Sequence, residues 1–225
     1  MNLEHVVIVF QIIAFLFAIS VHESAHAWMA NIRGDPTARM LGRITLNPIK
    51  HIDPVGTVLL PLIAGYRHWP MLGWAKPTPV TTSNFANPVL DDILTSVAGP
   101  VSNFVVATGA TLVLLGLKLS PSGRDVIEAL LGQHSIHTSS VIVPLCVLFY
   151  TFLEINVLLA VFNLIPIPPL DGSHVLRHFL PEPILRVYDM AGMIALFALV
   201  FWGSRYLNLL LAPVMGIFDW ALMKI

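Results

Sequence analysis

Charged side chains are scarce in this chain, and their scarcity excludes an ordinary soluble fold. Of 225 residues, 11% are Asp, Glu, Lys or Arg and 56% are hydrophobic, whereas soluble domains carry about 25% charged residues. The net charge of −1 gives no case for a nucleic-acid partner. The composition therefore predicts an integral membrane protein, in contact with the lipid bilayer and without a detachable soluble domain.

Cysteine is nearly absent as well. Cys146 is the only one, so an intramolecular disulfide and a thiolate-rich metal site are excluded. We expect Cys146, inside an apolar run, to be a small core residue. A basic region before the first apolar run is also missing, because Met1 to His5 leads directly into that run. A cleavable signal peptide is therefore not expected.

Long apolar runs are what the sequence has instead. The first, from about Val6 to Ala30, can cross a hydrocarbon core of ~30 Å at a helical rise of ~1.5 Å per residue. The later runs are Asp91–Leu119, Val141–Ile165 and a pair, Val187–Phe201 and Tyr206–Met223, that reads as two short spans or one long tilted pair. We predict an all-α polytopic membrane protein, a helical bundle with about five to six transmembrane segments. Residues 1–225 form one membrane-embedded domain, with a catalytic core at about 6–175 and C-terminal helices at 184–223.

The connection between the first two full spans is less regular. Residues Arg39 to Asn47 alternate loosely and include Ile44 and Thr45, which favour a β-strand. Val55–Gly65 is apolar but short for a span, which indicates a re-entrant or buried segment. Prolines in Gly73–Val80 exclude a regular helix. We therefore expect a short re-entrant and β-strand region here.

Basic residues give this region an orientation. Asn31 to His51 holds four of them against Asp35 as the acidic residue: Arg33, Arg39, Arg43 and Lys50. By the positive-inside rule the loop is cytoplasmic and the N-terminus lies outside.

The chemistry begins with a His-Glu-x-x-His pattern late in the first span. His22 and His26 share one helix face and can both bind one metal ion, while Glu23 can act beside it as a general base. A polar helix end without metal is the alternative. Three ionisable groups adjoining a charge-free run favour function.

A catalytic zinc usually has three protein ligands. Candidates for the third are Asp171, Glu154, Asp91, Asp92, Asp189, Asp219 and the other histidines. Asp171 follows a proline-broken helix end and returns to the side of His26 after two crossings, provided that Val55–Gly65 does not cross. Its alternative role is only to cap the helix that follows.

Four blocks of the sequence together resemble the site-2 protease family, zinc metalloproteases that cut within membranes. They are His22–His26, Gly73–Val80, Ala98–Asn103 and Asn163–Gly172, in the family's order. The resemblance covers roughly residues 10 to 175. It implies regulated intramembrane proteolysis, the hydrolysis of a peptide bond in or near the transmembrane segment of a membrane-protein substrate.

The resemblance also implies roles for residues. One Zn²⁺ per chain is bound by His22, His26 and Asp171, and Glu23 is the general base. Asn103 lies near the scissile carbonyl, although a helix–helix hydrogen bond would explain it structurally. An exposed edge, at Arg39–Leu46 or Trp74–Val80, would hold an unwound substrate as an added strand. Asn156 and Asn163 either support Asp171 and line the cavity or join helices. We expect the active site near the cytoplasmic face of the cell membrane.

The chain also departs from the family pattern. Ser173 stands where many relatives have a second glycine, and no gap could hold an inserted PDZ domain or a CBS-type module, so a minimal form is expected. Two rival functions stay open: a divalent-metal transporter, and an inactive relative that binds membrane helices. The oligomeric state is left open.

Overall fold

The computed structural model describes residues 3–59, 63, 74–132 and 141–224, and across them every regular element is helical. The helices are α1 (Leu3–Ile32), α2 (Thr37–Met40), α3 (Pro88–Lys118), α4 (Pro121–Leu130), α5 (Ile142–Asn163), α6 (Asp171–Arg177), α7 (Glu182–Trp202) and α8 (Ser204–Lys224), with short turns at Pro48–Lys50, Pro54–Leu59 and Thr82–Asn84. Five of them are long and apolar enough to cross a membrane: α1, α3, α5, α7 and α8. The prediction of an all-α polytopic protein with about five to six transmembrane segments is confirmed for the helical fold, with five candidate spans among the described residues.

Local sequence signals set where the central helices begin. Asn87 caps α3 by accepting the N–H of Leu90, and Ser120 caps α4 by accepting the N–H of Gly123. A proline follows each cap at the first helical position, where no hydrogen bond is lost. The caps place the start of α3 and the α3–α4 turn at opposite ends of the long α3 helix.

Helices α1, α3 and α5 form the centre of the bundle. Three contacts show that α1 and α3 run antiparallel: His22 pairs with Asn103, His26 with the Thr95 carbonyl, and Arg33 with Asp91. The chain between Arg33 and Asn87 therefore leaves and returns at the same end of the bundle. This is expected if Val55–Gly65 is re-entrant and does not cross the membrane. Residues 60–62 and 64–73 lie outside the described part, so the re-entrant path itself remains a prediction.

The predicted strand at Arg39–Asn47 is wrong. The segment instead ends α2 and turns through Gly42, whose φ of 65° suits glycine. Arg43 is buried, and its guanidinium donates to the carbonyl oxygens of Lys50, Lys76 and Pro77. These hydrogen bonds attach the segment to neighbouring loops. Ile44 and Thr45 favour a β-strand, but no strand among the described residues is there to pair with them.

A buried carboxylate closes the loops at this end. Asp35 accepts hydrogen bonds from the Thr37 and Thr81 backbone N–H groups and from the Asn84 amide. Burial acts to raise the pKa of Asp35, but these hydrogen bonds favour the charged form and lower it overall. Asp35 thus ties the end of α1 to the segment that precedes α3.

Apolar packing fills the other end of the bundle. The core cluster is Ala107, Ala110, Leu114, Val126, Ile127, Cys146, Leu153, Val157 and Leu222. It joins α3, α4, α5 and the end of α8, and the free Cys146 is a buried member of it, as predicted. Helix α7 is mostly exposed and packs against α8.

Candidate metal centre and active site

Three predicted ligands converge at one point. His22 and His26 lie on the bundle-facing side of α1, each 7% exposed, and Asp171 is the first residue of α6. Asp171 Oδ2 is 3.1 Å from His22 Nε2 and 3.4 Å from His26 Nε2. One ligand atom from each residue fits within 4.8 Å of the others, and this is the only such group of three among the described residues.

The turn between α5 and α6 positions Asp171. A Cβ on Gly172 would overlap the backbone carbonyls of Leu164 and Ile165, so only glycine lets α6 lie this close under the end of α5. Leu170 occupies the cap position of α6, and Asp171 makes no capping hydrogen bond. The alternative role of Asp171 as a helix cap therefore does not apply, because its carboxylate turns to the histidines instead.

Hydrogen bonds on the far side of each ring orient the two histidines. His26 Nδ1 donates to the Thr95 carbonyl at 2.7 Å. His22 Nδ1 lies 2.6 Å from Asn103 Oδ1, which is an acceptor because Asn103 Nδ2 donates to Ala18 O and Asn156 Oδ1. A neutral ring with its proton on Nδ1 presents a lone pair at Nε2, the form that binds a metal.

The donor set fits a cation. Oδ2 of Asp171 is buried and has no hydrogen-bond partner among the described residues, although both Nε2 atoms are close. When both rings carry their proton on Nδ1, two imidazole lone pairs and a carboxylate oxygen face one another, and a positive ion between them would stabilise this arrangement. Two histidines and one carboxylate suit zinc with an open fourth position.

The same arrangement lowers the pKa of Asp171. Burial alone would raise its pKa, but the attraction of His26, when that ring is protonated, outweighs burial. The pKa of Asp171 therefore lies well below its ordinary value. The carboxylate stays charged, as a metal ligand must be.

A glycine allows α3 to approach the histidines. A Cβ on Gly99 would collide with the rings of both His22 and His26. The next residue, Pro100, has no N–H to donate within the helix. The Ala98–Asn103 block is thus a close-packing surface for the metal ligands.

Asn103, predicted to lie near the scissile carbonyl, contacts the ring of His22. It is fully buried, and both ends of its amide are engaged by His22, Ala18 and Asn156. The side chain therefore supports the His22 ring from its Nδ1 side. Its role near a scissile carbonyl stays a prediction. Asn156, predicted either to support Asp171 and line the cavity or to join helices, joins α5 to α3 through Asn103.

Glu23 is adjacent to the metal cluster and is held by a loop. The Thr78 N–H donates to Glu23 Oε2 at 2.9 Å, and Thr78 Oγ1 lies 2.7 Å from the same oxygen. Thr78 belongs to the segment Trp74–Val80, which has no regular secondary structure. Gly73, the first residue of the predicted block, lies outside the described part.

The other candidate ligands are occupied elsewhere. Asp91 pairs with Arg33, and Asp189 pairs with Arg177. Asp92 contacts His178 at 2.7 Å and His174 at 3.8 Å, which attaches α6 and the residues after it to α3. Glu154 is exposed on the span, and Asp219 lies near Tyr150 on α5. His174 therefore supports α6 rather than contacting Asp171 directly.

Sequence reasoning missed two contributors. The Thr95 carbonyl orients His26. Every residue has a backbone carbonyl, so the sequence gives no sign of this contact. Thr78 holds Glu23 from a distant loop, and the one signal for it was its position inside the Gly73–Val80 block.

Comparison with known proteins identifies the family of this chain. The profile of peptidase family M50 matches residues 10–202. The putative zinc metalloprotease YwhC of Bacillus subtilis is 38% identical over 177 residues, which cover 77% of this chain and 70% of that protein. The putative zinc metalloprotease Rip2 of Mycolicibacterium smegmatis is 30% identical over 78% of this chain and 60% of its own length.

Rip2 of Mycobacterium tuberculosis (strain H37Rv) is 29% identical over 93% of this chain and 70% of that protein. No solved structure gave a match. The profile match extends over most of the chain and includes every residue of the metal cluster, and it confirms the resemblance seen in the sequence. The chain therefore belongs to peptidase family M50, the site-2 protease family.

Proposed function

We propose that this protein is a zinc-dependent intramembrane endopeptidase that hydrolyses a peptide bond in or near the transmembrane segment of a membrane-protein substrate. The observation that carries the proposal is the convergence of His22, His26 and Asp171, with their lone pairs facing one another, at the end of helices that can span a membrane. The names of the relatives, putative zinc metalloproteases, support zinc as the metal. The single cluster in the described residues supports one ion per chain.

The chain's own residues divide the work. His22, His26 and Asp171 would hold the ion, which when bound polarises the substrate carbonyl and lowers the pKa of water to about 7. Glu23 takes the proton of the attacking water as the carbon–oxygen bond forms, and delivers it to the amine as the carbon–nitrogen bond breaks. Asn103 and Thr95 hold the histidine rings at the required tautomer. Asn103 is thus a positioning residue in this proposal.

The substrate must be held extended, because a helical peptide bond is shielded. Trp74–Val80 has no regular secondary structure, and one edge of it is used: the alternate N–H groups of Trp74, Lys76 and Thr78 bond to Gly56, His51 and Glu23, as in an extended chain. Alternate residues of an extended chain face opposite edges, so Ala75, Pro77 and Pro79 form the outer edge. Two of these are prolines without an N–H. The Pro77 carbonyl already accepts from Arg43. We propose that a substrate strand pairs there chiefly at Ala75 and otherwise donates to the Pro79 carbonyl.

The orientation proposed for this site is near the cytoplasmic face, with the N-terminus outside. It rests on the excess of Lys and Arg between α1 and α3 and on Arg177 and Arg186 after Asp171. Cys146 is buried, so a single cysteine placed at exposed Met40 would be the accessible thiol. Labelling of that thiol only from outside intact cells would contradict this orientation.

The test of the proposed function is Glu23→Gln, which keeps the shape of the side chain and removes the base. Membrane proteomes of cells carrying wild-type or Glu23→Gln protein are compared, and single-span stubs should accumulate with the variant. Purified Glu23→Gln protein should still contain zinc, whereas His22→Ala protein should lose it. Identical proteomes would contradict the proposal. A divalent-metal transporter would continue to move metal with Gln at position 23, and an inactive helix-binding relative would show no stubs.

A further inference from the structure

Thr78 contacts the proposed general base with both of its hydrogen-bond donors, the backbone N–H and the hydroxyl. Its N–H donates to Glu23 Oε2 at 2.9 Å, and its hydroxyl oxygen lies 2.7 Å from Oε2 and 3.0 Å from the Glu23 backbone carbonyl oxygen. Both contacts that Thr78 makes with the Glu23 side chain are to the same carboxylate oxygen, Oε2. Among the described residues no hydrogen bond is made to Oε1, so that oxygen is the one left for a reacting water.

The segment that carries Thr78 is fixed from several sides. The Arg43 guanidinium donates to the carbonyls of Lys76, at 3.2 Å, and Pro77, at 2.9 Å. The Lys76 N–H donates to the His51 carbonyl at 2.8 Å. Thr78 therefore does not simply follow the Glu23 side chain, because the loop has its own attachments immediately before Thr78.

The neighbours of Arg43 extend this frame back to α1. Ser24, next to Glu23, contacts the Thr45 backbone: Thr45 N–H donates to Ser24 Oγ at 2.7 Å. The loop residues Arg43 and Thr45 are thus attached to α1 one residue from Glu23 and, through Arg43, to Lys76 and Pro77. A closed set of contacts runs from α1 through both loops and back to Glu23.

The prolines on each side of Thr78 make it the sole backbone donor of its tripeptide. Pro77 and Pro79 have no N–H, and the ring of each fixes φ. The Thr78 N–H donates to the Glu23 carboxylate rather than to a carbonyl of another loop. Such a donor in a rigid surrounding is what a catalytic carboxylate needs to be held in one orientation.

We propose that Thr78 is the positioning residue of the general base: it binds Glu23 Oε2 and so directs Oε1 toward the reacting water. This inference rests on the proposed function, since it assigns a role within the same reaction. Thr78 touches neither the metal ligands nor the substrate in this role. Its effect should therefore fall on turnover, and metal binding should be unchanged.

The experiment uses the full chain, purified in vesicles, with one of the single-span proteins that accumulate with Glu23→Gln as the reporter. Thr78→Val removes the hydroxyl and keeps the shape and the N–H. Thr78→Ser keeps both donors. Thr82→Val is the matched control, because Thr82 is an exposed threonine of the adjoining turn. The measured quantities are kcat, KM and the zinc content of each variant.

Thr78→Val should lower kcat about tenfold, the effect expected for loss of one hydrogen bond to a charged group, with KM within about twofold and zinc unchanged. Thr78→Ser and Thr82→Val should stay within about twofold of wild type. Wild-type kcat in Thr78→Val would overturn the inference, as would equal impairment in Thr78→Ser or a loss of zinc. Those outcomes leave the proposed function standing if Glu23→Gln is inactive. Cleavage by Glu23→Gln itself would instead remove the proposed function.

Discussion

The two ends of the central bundle are built on opposite principles. At one end, α3, α4, α5 and α8 bury a cluster of side chains that are all apolar, from Ala107 to Leu222. At the other end the same α3 and α5 bury Asn103 and Asn156, and α1 adds His22 and His26. The first end is held by close packing, which many apolar residues can supply. The second is held by directed hydrogen bonds between particular atoms.

The difference shows where the chain accepts a cost for function. Polar groups in a membrane are expensive unless every one is paired. The Ala18–Asn103–Asn156 contacts and the Asn103–His22 contact satisfy that demand. Asp171 Oδ2 is buried and without a partner among the described residues, as are Thr95 Oγ1 and His51 Nδ1. Of the three, Asp171 Oδ2 is the carboxylate oxygen that faces both histidine rings, and it marks the place where a ligand is expected.

The largest loss of cleavage should come from a substitution at the end of the bundle that holds His22 and His26, although that substitution adds only one methyl group. Gly99→Ala adds one methyl group that collides with both histidine rings, whereas Gly109→Ala, on the same helix, adds it in open space. We expect Gly99→Ala to lose more than about a hundredfold in cleavage, since small misplacements at a catalytic centre cost that much, and to bind less zinc. Gly109→Ala should match wild type. Equal activity in the two variants would show that α3 does not pack tightly on the ligands.

An intermediate effect should follow from Asn103→Ala. His22 loses the acceptor that holds its Nδ1 proton, and removal of such a contact typically costs about 10- to 100-fold in metal affinity or activity. The measurement is a zinc titration with a competing chelator. Asn103→Asp restores an acceptor at the same place and should recover part of the affinity. If Asn103→Ala bound zinc normally but failed in turnover, the predicted role near the scissile carbonyl would regain support.

The smallest effect on catalysis should come from the apolar end. Leu153 is fully buried in the core cluster, and Leu153→Ala should lower the free energy of unfolding by about 2–4 kcal/mol through the cavity it leaves. Thermal unfolding in detergent measures that loss. Zinc content and cleavage at low temperature should stay close to wild type. A loss of zinc in the folded Leu153→Ala protein would mean that the two ends are coupled.

The sequence predicted those parts of the molecule that depend on residue type and spacing. Apolar runs located the spanning helices, and the i, i+4 spacing placed His22 and His26 on one face. Counting crossings brought Asp171 to the same end, and the antiparallel α1 and α3 have the expected parity. Each of these inferences uses a regular period or a simple count.

What could not be predicted depends on particular atoms in three dimensions. Arg39–Asn47 has strand-forming residues, but a buried Arg43 holds it in another conformation. Asn103 was chosen from the family resemblance, yet the direction in which its amide points is decided by its contacts with Ala18 and Asn156. The Thr95 carbonyl and the Thr78 contacts join segments that are far apart in sequence. No periodicity reports such pairings.

The separation of the ligands along the chain has a consequence during synthesis. His22 and His26 enter the membrane with the first helix, whereas Asp171 follows the last helix of the central bundle. On the proposed ligand set, a chain still emerging from the ribosome holds two ligands and lacks the third until α5 has been inserted. The complete metal site would then form only after the central bundle has assembled. Hydrolytic activity would be withheld from a half-inserted chain, at the stage when other nascent membrane helices lie nearest.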